Sequence, residues 1–144
     1  MLKSRRYSGE DVENITELLC EQYLPRVFQY INYWVNNKVI VEELTLKTLK
    51  GALVKYKGYY NERKFSTGIF AGARKEIQSC LKVGVTKPIL SGLSTQEQEV
   101  ISLRLAAVLN NQMISKLLGL SESKVGRIVH QSLYKLRDCM EVPA

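Results

Sequence analysis

The stretch NNQMISKLLGLSESKVGRIVHQSLYKLR, Asn110 to Arg137, decides how the chain is read. Met113, Ile114, Leu117 and Leu118 recur at helical spacing and offer a short helix to a core. Gly119 follows where a tight turn needs a left-handed backbone, which glycine adopts without a Cβ penalty. Leu120 tucks under the turn, and Ser121 is a natural N-cap for a second helix. Val125, Ile128, Val129, Leu133 and Leu136 form the expected buried stripe of that helix. Ser121, Glu122, Ser123, Lys124, Arg127, His130 and Gln131 are left near its exposed face. Two helices joined by such a turn make a helix-turn-helix, whose second helix enters a major groove by its N-terminal end. Lys124 and Arg127 suit phosphates or guanine edges, and Gln131 suits adenine. An ordinary helical hairpin with a solvated face is the plainer reading. The glycine, the cap and the basic second helix together argue against it.

Upstream, Ser94-Thr-Gln-Glu97 is a capping box before an apolar-periodic run. Helices are expected at about 95–107, 111–118 and 122–139. Before them, Val83 to Leu93 holds two glycines and a proline with no helical stripe, and reads as a linker reaching at most about 40 Å.

The first half is also helical. Asp11 to Val35 carries Val12, Ile15, Leu18 and Leu19 on one stripe, continued by Ile31, Trp34 and Val35. Pro25 must kink or split it. Lys38–Val41 is a brief strand-like run. Val41 to Tyr56 places Leu46, Leu49, Leu53 and Tyr56 at helical spacing, and Lys64 to Lys82 places Phe65, Ile69, Ala73 and Ile77 four apart. The fold class is therefore all-α, with two small helical domains, 1–82 and 94–144, joined by the short linker 83–93.

Charge points to a polyanion. The 144 residues hold 21 Lys+Arg against 14 Asp+Glu, a net charge of +7. Residues 1–82 contribute +5 and residues 83–144 contribute +2, so both halves suit nucleic acid. Seven of the eight tyrosines lie in the first half, and Tyr56, Tyr59 and Tyr60 flank the loop before its third helix. Unpaired bases stack on such rings. Lys55, Lys57, Arg63, Lys64, Arg74 and Lys75 lie nearby for phosphates. Tyr56 and Phe65 read better as core.

Other classes are poorly served. The one histidine, His130, leaves no nucleophile–base pair, and there is no phosphate-cradling glycine loop, so an enzyme is not expected. Cys20, Cys80 and Cys139 are too scattered for a metal cluster or a disulfide scaffold. No cofactor and no metal are implied. No apolar run is long enough to span a membrane and no secretory signal opens the chain, so a cytoplasmic protein is expected.

Taken from Glu17 to Arg137, the chain resembles a small sigma factor of the sigma-70 superfamily, of the extracytoplasmic-function type. LLCEQYLPRVFQYI is similar to the family's first helix through Tyr23, Pro25, Arg26, Val27 and Phe28. VEELTLKTLKGAL fits its next segment through Glu42, Glu43, Leu44, Thr45 and Thr48. KFSTGIFAGARKEI fits through Phe65, Phe70, Ala73 and Arg74. The run from Leu93 to Arg137 resembles the fourth conserved region through Glu99, Val100, Leu103, Arg104, Ile114, Leu118, Gly119, Ser121, Val125 and Leu136. The resemblance implies that the first half docks on the clamp helices of core RNA polymerase through Glu42, Glu43, Leu44 and Lys47. It would hold the −10 promoter element with Tyr59, Tyr60, Arg63, Lys64, Arg74 and Lys75. The second half would read the −35 element and sit on the polymerase flap. An anti-sigma factor is a further candidate partner. Three departures stand out: Leu46-Lys47 replaces a polar and acidic pair, Gly68 replaces a tryptophan, and Val125 to Gln131 differs from the usual recognition helix. They leave room for a stand-alone DNA-binding regulator, or for a protein-binding module that sequesters a partner.

Overall fold

Asn37 decides where the second helix begins. In the computed structural model its side chain accepts the Ile40 N–H at 3.1 Å, and its carbonyl accepts from Val41 at 2.9 Å. Lys38–Val41 is therefore the first turn of a helix, not the strand its β-branched residues suggest. The cap satisfies donors that a helix start otherwise leaves orphaned.

The structure describes residues 5–6, 9–55, 59–84 and 92–140. Side chains are described except at 5, 6, 9–13, 59, 60, 139 and 140. Tyr56, Lys57 and most of the expected linker fall outside the described residues, as do the side chains of Val12 and Cys139. The chain forms two compact units, Met1–Lys87 and Pro88–Ala144.

The first unit holds α1 (Gly9–Trp34), α2 (Lys38–Lys55) and α3 (Glu62–Lys82), each touching the other two. Pro25 does not split α1, which runs through it. Pro25 and Glu21, whose carbonyl loses the usual i→i−4 donor, are both exposed, so that carbonyl is open to water. The core is aromatic and β-branched: Tyr23, Val27, Tyr30 and Ile31 from α1, Val41 and Leu49 from α2, and Phe65, Ile69, Phe70, Ala73 and Ile77 from α3. Tyr23 meets Phe65 edge-on at 5.1 Å and Tyr30 meets Phe70 at 6.1 Å, the geometry aromatic quadrupoles favour. The Arg26 guanidinium lies 5.0 Å from the Tyr23 ring centroid and 5.3 Å from that of Phe70.

Two expected core positions are on the surface. Leu18 is 49% exposed, while Leu19, 100° further round the helix, is buried. Leu46 is 62% exposed, because α2 turns Val41, Thr45, Thr48, Leu49 and Ala52 inward instead. Threonine can sit there because the Thr45 hydroxyl donates to the Val41 carbonyl at 2.7 Å. Asn61 caps α3 by accepting from Lys64 N–H at 3.0 Å, which starts that helix two residues before the expected Lys64. A two-residue ribbon, unread in the sequence, precedes it: β1 (Arg5–Arg6) pairs antiparallel with β2 (Tyr59–Tyr60).

The second unit holds α4 (Thr95–Ile101), α5 (Asn111–Leu118) and α6 (Glu122–Met140). α4 passes into a π-helical turn, Ser102–Ala106, where an unbroken α-helix was expected. Leu93, assigned to the linker by composition, is buried. Both halves of the capping box form: Ser94 Oγ accepts from Glu97 N–H at 3.1 Å, and Ser94 N–H donates to Glu97 Oε1 at 2.9 Å. Glu97 also accepts from Lys135 Nζ of α6 at 2.9 Å, tying the first helix of the unit to its last. These two donors, the Ser94 N–H above all, hold the Glu97 carboxyl below the usual carboxylate range.

Candidate nucleic-acid interface

The turn between α5 and α6 is built as its residues require. Gly119 takes φ 68°, ψ 32°, and Ser115 Oγ donates to the Leu120 carbonyl across the turn. Ser121 Oγ then accepts from Lys124 N–H at 3.1 Å, capping α6. Val125, Ile128 and Ser132 are the buried side of α6, at spacings of three and four. Leu133 was expected on that stripe and is instead 44% exposed. It lies 100° from Ser132, and the α4 residues inside the unit include Glu97 and Gln98 rather than only aliphatic ones.

All seven residues singled out on this helix are exposed: Ser121, Glu122, Ser123, Lys124, Arg127, His130 and Gln131. Ser123, Arg127 and His130 follow spacings of four and three, so they form one line opposite the buried side. Lys124 and Gln131 flank it. Tyr134 and Arg137 prolong the line, both exposed, with the guanidinium 5.0 Å from the ring centroid. These two were missed because the sequence reading stopped at the N-terminal turns. The recurring 4-3-4-3 spacing was the available signal.

In the first unit, Arg63, Lys64 and Lys75 are exposed on α3, while Arg74 is half-buried. Lys64 and Lys75 stand three turns apart on one side. Lys82, two turns beyond Lys75 and also exposed, continues that basic line and was not singled out. Tyr59 and Tyr60 are held as strand residues by their pairing with Arg6 and Arg5.

The proposed docking residues on α2 divide. Glu42 and Glu43 are exposed and Leu44 is half-buried. Lys47 is exposed but pairs with Glu76 of α3 at 3.3 Å. The cation at this departure therefore has a partner within its own unit. Exposed Leu46 lies four and three residues from the two glutamates and belongs to the same surface. Where the family resemblance expects a large ring, Gly68 lines a cleft of about 270 Å³ with Thr48, Gly51, Ala52 and Gly72.

Residues 89–138 match the family model described as sigma-70, region 4. Over that span, 50 of the 144 residues, the chain is similar to sigma-70 region 4. A chain of the 1.8 Å structure of the RsbN–BldN complex aligns over 89% of this chain and 98% of its own length, at 22% identity and a TM-score of 0.39. No curated protein matches. The matched span contains α4, α5 and nearly all of α6, so the capped turn and the exposed line on α6 belong to the region 4 domain.

Among the described residues no group of three or more His, Cys, Asp or Glu could hold a metal, and no helix is long and apolar enough to cross a membrane. Cys80 is buried. Burial, reinforced by Glu76, pushes its thiol up, away from the thiolate form a reactive cysteine needs.

Proposed function

We propose that this protein is a sigma factor of the extracytoplasmic-function type, acting in the cytoplasm, that joins core RNA polymerase and directs initiation at particular promoters. The observation that carries the reading is the region 4 match over residues 89–138, which spans a capped turn and an α6 whose seven candidate DNA contacts are all exposed. Lys124, with the helix N-terminus, serves phosphates and Arg127 a base edge in the −35 major groove. The unit Met1–Lys87 takes the polymerase clamp on the α2 surface of Glu42, Glu43 and Leu46, with Leu44 and Lys47 at its margin. It takes the −10 element with Tyr59, Tyr60, Arg63, Lys64 and Lys75, and Arg74 at the edge. The region 4 unit also rests on the polymerase flap, and an anti-sigma factor occludes one of these surfaces.

The test is to mix the purified chain with its cognate core polymerase, measure binding, and run transcription from the mapped promoter of its own gene. Core binding with promoter-specific initiation supports the reading. Glu42→Lys with Glu43→Lys then removes docking, and Lys124→Ala with Arg127→Ala removes reading while leaving docking intact. Tight duplex binding without any core binding at micromolar concentration identifies a stand-alone regulator instead.

A further inference from the structure

Along α2, Val39, Glu43, Leu46, Lys50 and Val54 follow spacings of four, three, four and four, and all five are exposed. At 100° per residue they share one face, opposite the buried Val41, Thr45, Thr48, Leu49 and Ala52. The three aliphatic members, Val39, Leu46 and Val54, are 62%, 62% and 67% exposed. Scattered singly, such residues need no explanation; aligned on one helix face they make a surface for a partner.

The order of the five residues identifies that partner. Glu43 and Lys50 lie about 5 Å to either side of a midpoint between Leu46 and Lys47, and Val39 and Val54 about 11 Å to either side, at 1.5 Å per residue. Turned end for end, the line keeps its aliphatic positions and exchanges each charge for its opposite. A second α2 laid antiparallel therefore sets Glu43 against Lys50 twice, Val39 against Val54 twice, and the two Leu46 side chains together at the twofold axis. This is the self-complementarity that an isologous dimer requires. A parallel pairing would set Glu43 on Glu43 and Lys50 on Lys50, which repulsion opposes. Lys47, the other charge near the midpoint, stands at the edge of the line, 100° from Leu46, and is paired with Glu76 at 3.3 Å. Among the described residues no ion pair engages Glu43 or Lys50.

We propose that the exposed side of α2 is an interface for a second copy of this chain, seated antiparallel about Leu46. One helix face falls short of a standard interface, about 1,200–2,000 Å² of buried surface, so the association is weak and reversible. The inference goes beyond the sigma reading and stands without it. Under that reading the same face is offered to the polymerase clamp, so a chain held in the dimer is withheld from core.

The experiment is sedimentation equilibrium of the full chain from micromolar to millimolar concentration, with circular dichroism to check that each variant keeps its helices. Wild type is expected to pass from monomer to dimer over that range. Glu43→Lys and Lys50→Glu should each weaken self-association about tenfold, because both ion pairs of the dimer turn repulsive. Glu43→Lys combined with Lys50→Glu should restore it, since the pairs are only reversed. An equimolar mixture of the two single variants should also dimerise like wild type, each chain supplying the charges that the other lacks. Leu46→Glu should abolish the dimer by setting two carboxylates at the axis. A wild type that stays monomeric throughout overturns the inference. So does a dimer that the single variants leave unchanged, or one whose loss neither the double variant nor the mixture repairs, because its contacts then lie on another surface or in another register.

Discussion

α6 and α2 each carry a proposed binding surface, but α6 is amphipathic whereas α2 spreads its aliphatic residues around the helix. On α6 the buried side is Val125, Ile128 and Ser132, and the exposed line is polar and basic. On α2 the buried side includes two threonines, and the exposed side includes Leu46, Val39 and Val54. A polar site stands out when the inward face is mostly aliphatic. It is obscured when small hydroxyl residues face inward and aliphatic residues face water.

The largest effects should sharpen that contrast. Phe70→Ala is expected to cost about 3–5 kcal/mol and Ile128→Ala about 2–5, because each leaves a cavity in a packed core. Leu46→Ala and Leu133→Ala should each fall within about 0.5 kcal/mol of wild type. Chemical denaturation of the four variants checks this. A loss above 2 kcal/mol at Leu46 would return it to the core and dissolve the proposed docking surface.

Backbone geometry gives the next effect. Gly119 at φ 68° has nothing within 4 Å of where a Cβ would stand, so Gly119→Val should cost about 1–2 kcal/mol in conformation alone. Val108 is the reverse case, a β-branched residue at φ 58° that is largely exposed. Val108→Gly is expected to stabilise by about 1 kcal/mol, read as a rise in Tm. A fall would mean that the valine makes contacts outweighing its strain.

The cap on α4 is worth somewhat less and carries a pH signature. Ser94→Ala should cost about 1 kcal/mol. Because Glu97 is held below its unfolded value, its contribution is complete above about pH 4.3 and is lost as pH falls through the lower folded value. Thermal melts of wild type and Glu97→Gln between about pH 3 and 6 should therefore converge toward the acid end. A gap that stays constant with pH would show that ionisation contributes nothing. Smallest of all, Lys47→Ala should change stability by less than about 0.5 kcal/mol, since Lys47 is largely exposed while Glu76 is half-buried. A larger loss would make that pair a real tie between α2 and α3.

In the region 4 unit the caps and the turn were legible, while the π-helical turn Ser102–Ala106, the burial of Leu93 and the exposure of Leu133 were not. Ser94, Gly119 and Ser121 are local signals whose partners lie within five residues, and all act as their chemistry demands. The starts of α2 and α3 were missed although Asn37 and Asn61 are caps of the same kind, because β-branched residues after Asn37 and a tyrosine-rich loop before Asn61 drew attention to other structures. Leu18, Leu46 and Leu133 are exposed against expectation for one shared reason: aliphatic character alone does not turn a side chain inward.

By itself, then, the sequence determined the all-helical class, the division into two halves, the turn at Gly119 and the polar line at the start of α6. Each follows from interactions within one or two helical turns. Only the tertiary structure decided which side of α2 is buried, that Lys47 is answered by Glu76, that Lys135 reaches Glu97, and that Arg5–Arg6 lies beside Tyr59–Tyr60. Those pairings join residues 29 to 55 positions apart, and no local propensity selects such a partner. Packing between helices and the register between strands make that choice.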